Sequence, residues 1–468
     1  MRSRGWFPFA IGVFLVASFA AIADDSDDDL GAIVSTIERL GGHAEVDEDR
    51  PGAPVVTIEL RGMAVHDALL TDVARFPELE TLSLHGTRVS DKGLAELASC
   101  AKLDSLDIVS RHISDAGVAE LKELTGLHSL SLEVLRITDS GLAPLAALEE
   151  LESLHLHGTQ VSGAGFAKLG DLRQLEELDL RGERLRDAGL AELARLPALK
   201  SLKLEGSHLS DVGIANLKGL KKLEELVIHG GRVTDKGLVA LAGLTNLLTL
   251  SLGDARISDA GLKNLAGLVN LETLVVGGSG ITDAGLLHLK RLTQLRELSL
   301  HDTRVTDAGL EHVAALRQIE SLQLSGMWVM DAGLEHLVGF RNLRELDLSH
   351  SRMTDAGAER LAGLTGLQSL ALGPDVSDAC LEYLAGMKQL EELRLARSHV
   401  SNEGLEIIAT LTGLTSLDLS HTLVTDDGLP ILRPLTQLRS LDLTGAPVSD
   451  KAVERLKLAL PLLKVSGL

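Results

Sequence analysis

Three residue types recur along this chain at fixed intervals, and each pattern admits a chemistry. His155 and His157 form H-x-H, and Asp179 follows. On strands these would face one way, as zinc or copper ligands do. Two solvated polar residues are the stronger reading, since H-x-H alone supplies too few ligands. Aspartates preceded by Ser or Thr recur at Ser90-Asp91, Ser114-Asp115, Thr138-Asp139 and Thr306-Asp307. A column of carboxylates invites a calcium reading, but no neighbourhood adds the several convergent oxygens that calcium requires. Such pairs are better read as helix starts, where Ser, Thr and Asp satisfy free N–H groups and favour the dipole. No H-E-x-x-H, phosphate loop, C-x-x-C or G-x-S-x-G is present, so neither catalysis nor a cofactor is implied.

The third pattern is basic. Arg88, His112, Arg136, Gln160, Arg184, His208, Arg232, Arg256, Gly280, Arg304, Trp328 and Arg352 occupy one phase, each just before a Val, Ile, Leu or, after Arg352, Met. On a chain of net charge −22 this stripe stands out. The first expectation is local pairing with neighbouring carboxylates, because surface ion pairs form easily and contribute little. The alternative is an edge that grips a partner's carboxylates bidentately. Trp328 interrupts the stripe between Arg304 and Arg352, with Met327 and Met330 beside it. Trp and Arg dominate interface hot spots, and the Trp328 column is otherwise polar, which predicts an exposed side chain.

All these columns are phases of one repeat. Leu79, Leu103, Leu127 and their successors stand 24 apart as far as Leu367; one residue is then lost and the register resumes at Leu390. A fixed period of this length means a solenoid. In one unit, Leu82 and Leu84 alternate as a strand does, and Val89 follows a turn. Leu94, Leu97 and Cys100 then recur every third residue, which predicts a short α- or 3₁₀-helix with one buried face. A single unit cannot bury its apolar positions, so neighbours must stack. Strands stack about 4.8 Å apart and helices need about 10 Å, so the stack curves with strands inside. His85, His157, His229 and His301 are then three units apart, roughly 14 Å, too far to share a metal. Gly93, Gly117, Gly141 and their equivalents follow each aspartate by two. Cys380 and Ala452 replace that glycine, so crowding by the next unit explains it better than backbone conformation. Cys100 and Cys380 lie twelve units apart and predict no disulfide.

The pattern L-x-x-L-x-L-x-x-T-x-V-T-D-x-G-L resembles the leucine-rich repeat of the 24-residue bacterial type, with likeness to the ribonuclease-inhibitor-like and F-box-associated groups. The resemblance spans residues 55–468. It implies an α/β horseshoe with parallel strands on the concave face, short helices on the convex face, and protein–protein recognition without chemistry. The family's usual Asn after the strand is replaced by Thr87, Thr159, Thr303 or Ser351, which puts a full asparagine ladder in doubt.

The organisation expected is a signal peptide over 1–23, an acidic disordered stub over 24–29, a capping segment over 30–54, and about 17 units plus a partial one over 55–468. Arg2 and Arg4, the apolar run Phe7 to Ile22, and Ala21-Ile22-Ala23 before Asp24 carry the first expectation. Retention as a membrane anchor is the alternative. Export to the periplasm, cell surface or medium follows. The net charge disfavours nucleic acid and favours a basic protein partner. On the inner face, Val227, Ser251, Gly253, Val275 and Gly277 form a neutral patch between acidic stretches, which makes Val227 and Val275 a second candidate contact. The last unit stops inside its strand at Leu462, leaving a sheet edge suited to weak self-association.

Overall fold

A computed structural model describes residues 25–467 apart from 135, 171, 183, 206, 207, 254 and 279. The signal-peptide expectation, residues 1–23, lies outside the described residues. The chain opens with helix α1 (Asp25–Arg39), which buries Ile33 and Ile37, then strand β1 (His43–Val46). The helix therefore starts within the acidic stretch that was expected to be a disordered stub. Strand β1 pairs antiparallel with β2 (Val55–Arg61) and so covers the edge of the first unit.

From β2 onward every strand runs parallel to its chain neighbour, within one open sheet that has 19 strands among the described residues. The register repeats without slip: Leu82 pairs with Leu106, Leu106 with Leu130, and Leu130 with Leu154. The unit that is one residue short still pairs Leu370 with Leu393, so the deletion is absorbed outside the strand. Short helices return the chain on the convex side. Some are α-helical, such as Asp235–Leu241, and others are 3₁₀, such as Asp139–Ala147. In the unit beginning at Leu79, Leu82, Leu84, Val89, Leu94, Leu97 and Cys100 are all buried. Burying each large aliphatic side chain contributes about 1.5 to 3 kcal/mol, but only against neighbouring units. The result is one continuous core from Ile33 to Leu463. Cys100 and Cys380 are free thiols within it, and burial pushes the Cys380 thiol up to about 12.

The aspartate column does more than start helices. Ser90 caps its own helix by accepting from Lys92 N–H, as expected. Asp91 instead reaches the next unit: its Oδ1 accepts from Ser114 N–H at 2.7 Å and its Oδ2 from Ser114 Oγ at 2.7 Å. The same two bonds join Asp259 to Thr282 and Asp355 to Ser377. Burial opposes ionisation of Asp139, yet bonds from Ser162, Gly165 and Gly163 outweigh it and hold its carboxyl below the usual carboxylate range. This ladder stands in for the family's asparagine ladder, since the hydroxyls of Thr303 and Thr422 bond only within their own units. It also explains the glycine column. A Cβ on Gly117 would sit 2.5 Å from Asp91 Oδ1.

Candidate functional site

Trp328 sits in the turn after its strand, in the stripe's column. Its backbone bridges to Thr306, and its N–H donates to Val305 C=O at 3.1 Å. Arg88, Arg256, Arg304 and Arg352 are held by the same bond to the unit before. The side chain is 56% exposed and Met330 is 52% exposed, whereas Met327 is 2% exposed. Met327 was expected at the surface; the structure corrects this. It occupies the inward column of Thr303 and Ser351, a phase already readable in the repeat, and it fills the core there.

The Arg352 guanidinium lies 4.7 Å from the Trp328 ring centroid. Such stacking is worth about 0.5 to 1 kcal/mol at an exposed site and leaves the guanidinium edges free to donate. Arg304 is exposed on the other side, and no stacking joins it to Trp328. The neighbourhood is therefore an indole platform braced by one arginine, with Met330 beside it and Arg304 one unit before.

This unit departs from the repeat at a cost. Met330 stands where other units have Ser or Thr, so Asp307 receives only the Met330 N–H, at 2.8 Å, and no hydroxyl. The helix of the unit loses its cap as well and is a 3₁₀ stretch, Gly333–Leu337. Among the described residues the ladder fails at one other place, where Gly163 replaces the aspartate and Arg186 the hydroxyl. Local rules broken without compensation in packing mark sites kept for another reason.

The expectation that the arginine stripe is neutralised locally is overturned. Among the described residues, Arg88, Arg136, Arg184, Arg232, Arg256 and Arg304 are exposed and have no ion-pair or side-chain hydrogen-bond partner. The aspartates three residues beyond them are turned toward the following unit's hydroxyl or N–H.

The inner face changes character along its length. Toward the amino end it is an ion-pair network. His85 Nε2 lies 2.5 Å from Asp107 Oδ2, a bond that raises the imidazole's pKa against burial. His155 Nε2 is 3.5 Å from Glu177, and His157 Nε2 is 3.2 Å from Asp179, too poorly aligned for a hydrogen bond. Burial works against the Asp179 carboxylate, yet His157 and Arg181 outweigh it and hold its pKa at about 2. The two imidazoles stack with centroids 6.0 Å apart, each beside its own carboxylate. Among the described residues no group of three His, Cys, Asp or Glu is gathered to hold a metal ion.

Further on lies the neutral patch. Val227, Ser251 and Val275 are adjacent across three strands, and both valines are half-buried. Gly253 and Gly277 are not open floor. The His229 ring lies over Gly253 and the His301 ring over Gly277, where an added Cβ would approach within 2.8 and 2.5 Å. Ser251 and Ser299 hydroxyls lie 3.2 Å from those rings. Two of the four periodic histidines, His229 and His301, thus cover the gaps left by glycine, which residue types alone did not reveal.

A parallel sheet whose register repeats every 24 residues, with one unit of 23, defines a stacked solenoid. The fold is a leucine-rich-repeat solenoid, and the family model described as Leucine Rich repeat matches residues 243–266 and 341–362. No curated protein matches the chain. Among solved structures it is similar to an internalin from Listeria monocytogenes, at 26% identity over 76% of this chain and 88% of that one, TM-score 0.48. A leucine-rich-repeat protein of Leptospira interrogans shares 19% identity over 84% of this chain and 91% of that one, TM-score 0.47. The plant peptide hormone receptor RGFR1 in complex with RGF2 shares 14% over 85% of each, TM-score 0.37. Leucine-rich-repeat solenoids are common scaffolds of protein-interaction domains. Among the described residues no helix is long and apolar enough to cross a membrane.

Proposed function

We propose that this chain is an exported, non-catalytic scaffold that binds a protein partner through Trp328, Met330, Arg304 and Arg352. The observation that carries this reading is the pair of exposed large apolar side chains at the one unit where an aspartate of the ladder meets an N–H without a hydroxyl. Trp328 supplies apolar area, and Arg352, already oriented by stacking, gives up little further freedom on engaging a carboxylate. Val227 and Val275 form the secondary contact on the inner face. Export rests on the amino-terminal pattern, and a mature protein beginning at Asp24 is its test by terminal sequencing.

The partner is sought by comparing what the wild-type protein and its Trp328→Ala variant retain from an envelope extract, and affinity for the retained protein is then measured. Trp328→Ala is expected to weaken that affinity by at least about 2 kcal/mol while leaving the melting temperature unchanged. Unchanged affinity with unchanged stability moves the interface to Val227 and Val275. A collapsed melting temperature means the indole packs within the fold.

A second reading, self-association of an envelope protein, is favoured by the exposed Leu458 and Leu462 beside the strand Lys464–Ser466. Light scattering that shows a strict monomer at high concentration removes it.

A further inference from the structure

The amino-terminal half of the arginine stripe has no part in the Trp328 patch. Arg88, Arg136, Arg184 and Arg232 recur every second unit, and His112, Gln160 and His208 alternate with them. Strands stack about 4.8 Å apart, so successive arginines stand about 10 Å apart. Part of the column is tied to the unit before it: Arg88 N–H donates to Val65 C=O, Gln160 N–H to Ile137 C=O and Arg232 N–H to Leu209 C=O. The four side chains are exposed and, among the described residues, have no partner. Carboxylates are abundant nearby, yet those three residues further on are already engaged. Asp91 is bonded to Ser114, Asp139 to Ser162, Asp187 to Ser210 and Asp235 to Ser258. A chain of net charge −22 therefore carries a row of guanidinium groups that it does not neutralise.

We propose that Arg88, Arg136, Arg184 and Arg232 form a docking row for an extended acidic polypeptide segment laid along the stack. A segment in the polyproline II conformation has three residues per turn and advances about 3.1 Å per residue, so every third side chain faces the row at about the distance between successive arginines. Carboxylates at every third position meet the guanidinium forks bidentately. The residues between them lie over His112, Gln160 and His208. The row spans six units, roughly 29 Å, which takes a segment of about ten residues. The protein's overall negative charge works against a long polyanion such as nucleic acid, whereas a short segment is held locally by the row. The proposal rests on the reading of this chain as a protein-binding scaffold, but uses residues outside the Trp328 patch.

The test uses the full exported chain and three fluorescent probes at low and moderate salt: a ten-residue peptide with Asp at every third position, a peptide of the same composition with the Asp residues clustered, and a ten-nucleotide oligothymidylate. Anisotropy is expected to show the phased peptide binding most tightly, with affinity falling as salt rises. The double variant Arg136→Gln/Arg184→Gln should lose about tenfold or more of that affinity at unchanged thermal stability, because two charge-assisted pairs are removed. Trp328→Ala should leave it unchanged, so the row stands or falls separately from the Trp328 patch. Equal binding of the phased and clustered peptides overturns the proposed spacing. Tighter binding of the oligothymidylate overturns the polypeptide reading, and binding of none of the probes overturns the row itself.

Discussion

Asp259 offers a direct test of whether the aspartate ladder holds the units together. Its Oδ1 accepts from Thr282 N–H at 2.8 Å and its Oδ2 from Thr282 Oγ1 at 2.7 Å. Thr282 Oγ1 in turn accepts from Ala284 N–H and caps the next helix. Asp259→Ala removes both charge-assisted bonds across the unit boundary and leaves a half-buried N–H without its acceptor. Net hydrogen bonds to charged groups contribute about 1.5 to 3 kcal/mol, and partial access of water offsets some of the loss. A cost of about 2 to 3 kcal/mol is expected. Asp259→Asn is the informative control, because the chain already contains it. Asn402 Oδ1 accepts from Thr425 N–H at 3.0 Å, and its Nδ2 donates to Thr425 Oγ1 at 2.7 Å. In the variant the Thr282 hydroxyl must likewise turn from donor to acceptor, and it shares its lone pairs with the cap. About 1 kcal/mol should be lost. Urea unfolding followed by far-ultraviolet circular dichroism measures both variants. Trp328, the one tryptophan after residue 23, adds a local fluorescence probe three units away. Stability in a solenoid is a sum of unit and neighbour-interface contributions, so a weakened boundary should separate the two signals in Asp259→Ala only. If Asn costs as much as Ala, the charge at the helix start matters and the ladder does not. If neither costs anything, the ladder is ornamental.

Met330→Thr should restore the missing hydroxyl partner of Asp307 and raise stability by about 1 kcal/mol in the same unfolding assay, while weakening the partner affinity assigned to this unit. Gly117→Ala should destabilise by about 1 kcal/mol or more, although Ala normally favours a helix. The new Cβ meets the Asp91 carboxylate, and a melting temperature at or above wild type would refute this cause. Asp179 has its pKa lowered in the folded chain from an ordinary 3.8 to about 2, so its contribution is fully present above that ordinary value and is lost as pH falls toward 2. The shift corresponds to about 2 kcal/mol. Stability of Asp179→Asn should fall less steeply than wild type between pH 5 and about 2, and parallel curves would show that the shift is not realised.

The repeat declared its fold because stacking imposes one environment on each phase. Leu79, Leu82, Leu84, Val89, Leu94 and Leu97 are buried, as are their equivalents through the body of the stack, so their spacing alone predicted strand, turn, short helix and parallel register. The same logic placed Trp328 at the surface and would have placed Met327 inside, had its phase been weighed above its neighbourhood. What the sequence could not decide was which neighbour each polar column addresses. Asp91 and Ser114 are 23 residues apart, and only the stacked units show that the carboxylate turns forward to the next hydroxyl and not inward to its own helix. That choice left the stripe arginines without partners. It also explains the glycine beside each carboxylate and exposes Met330 as a departure that costs a hydrogen bond. Side-chain direction likewise laid His229 and His301 over Gly253 and Gly277 and closed part of the neutral patch. Burial patterns are written in one dimension because every unit repeats them, whereas hydrogen bonds and ion pairs depend on distances between units that exist only once the solenoid is assembled.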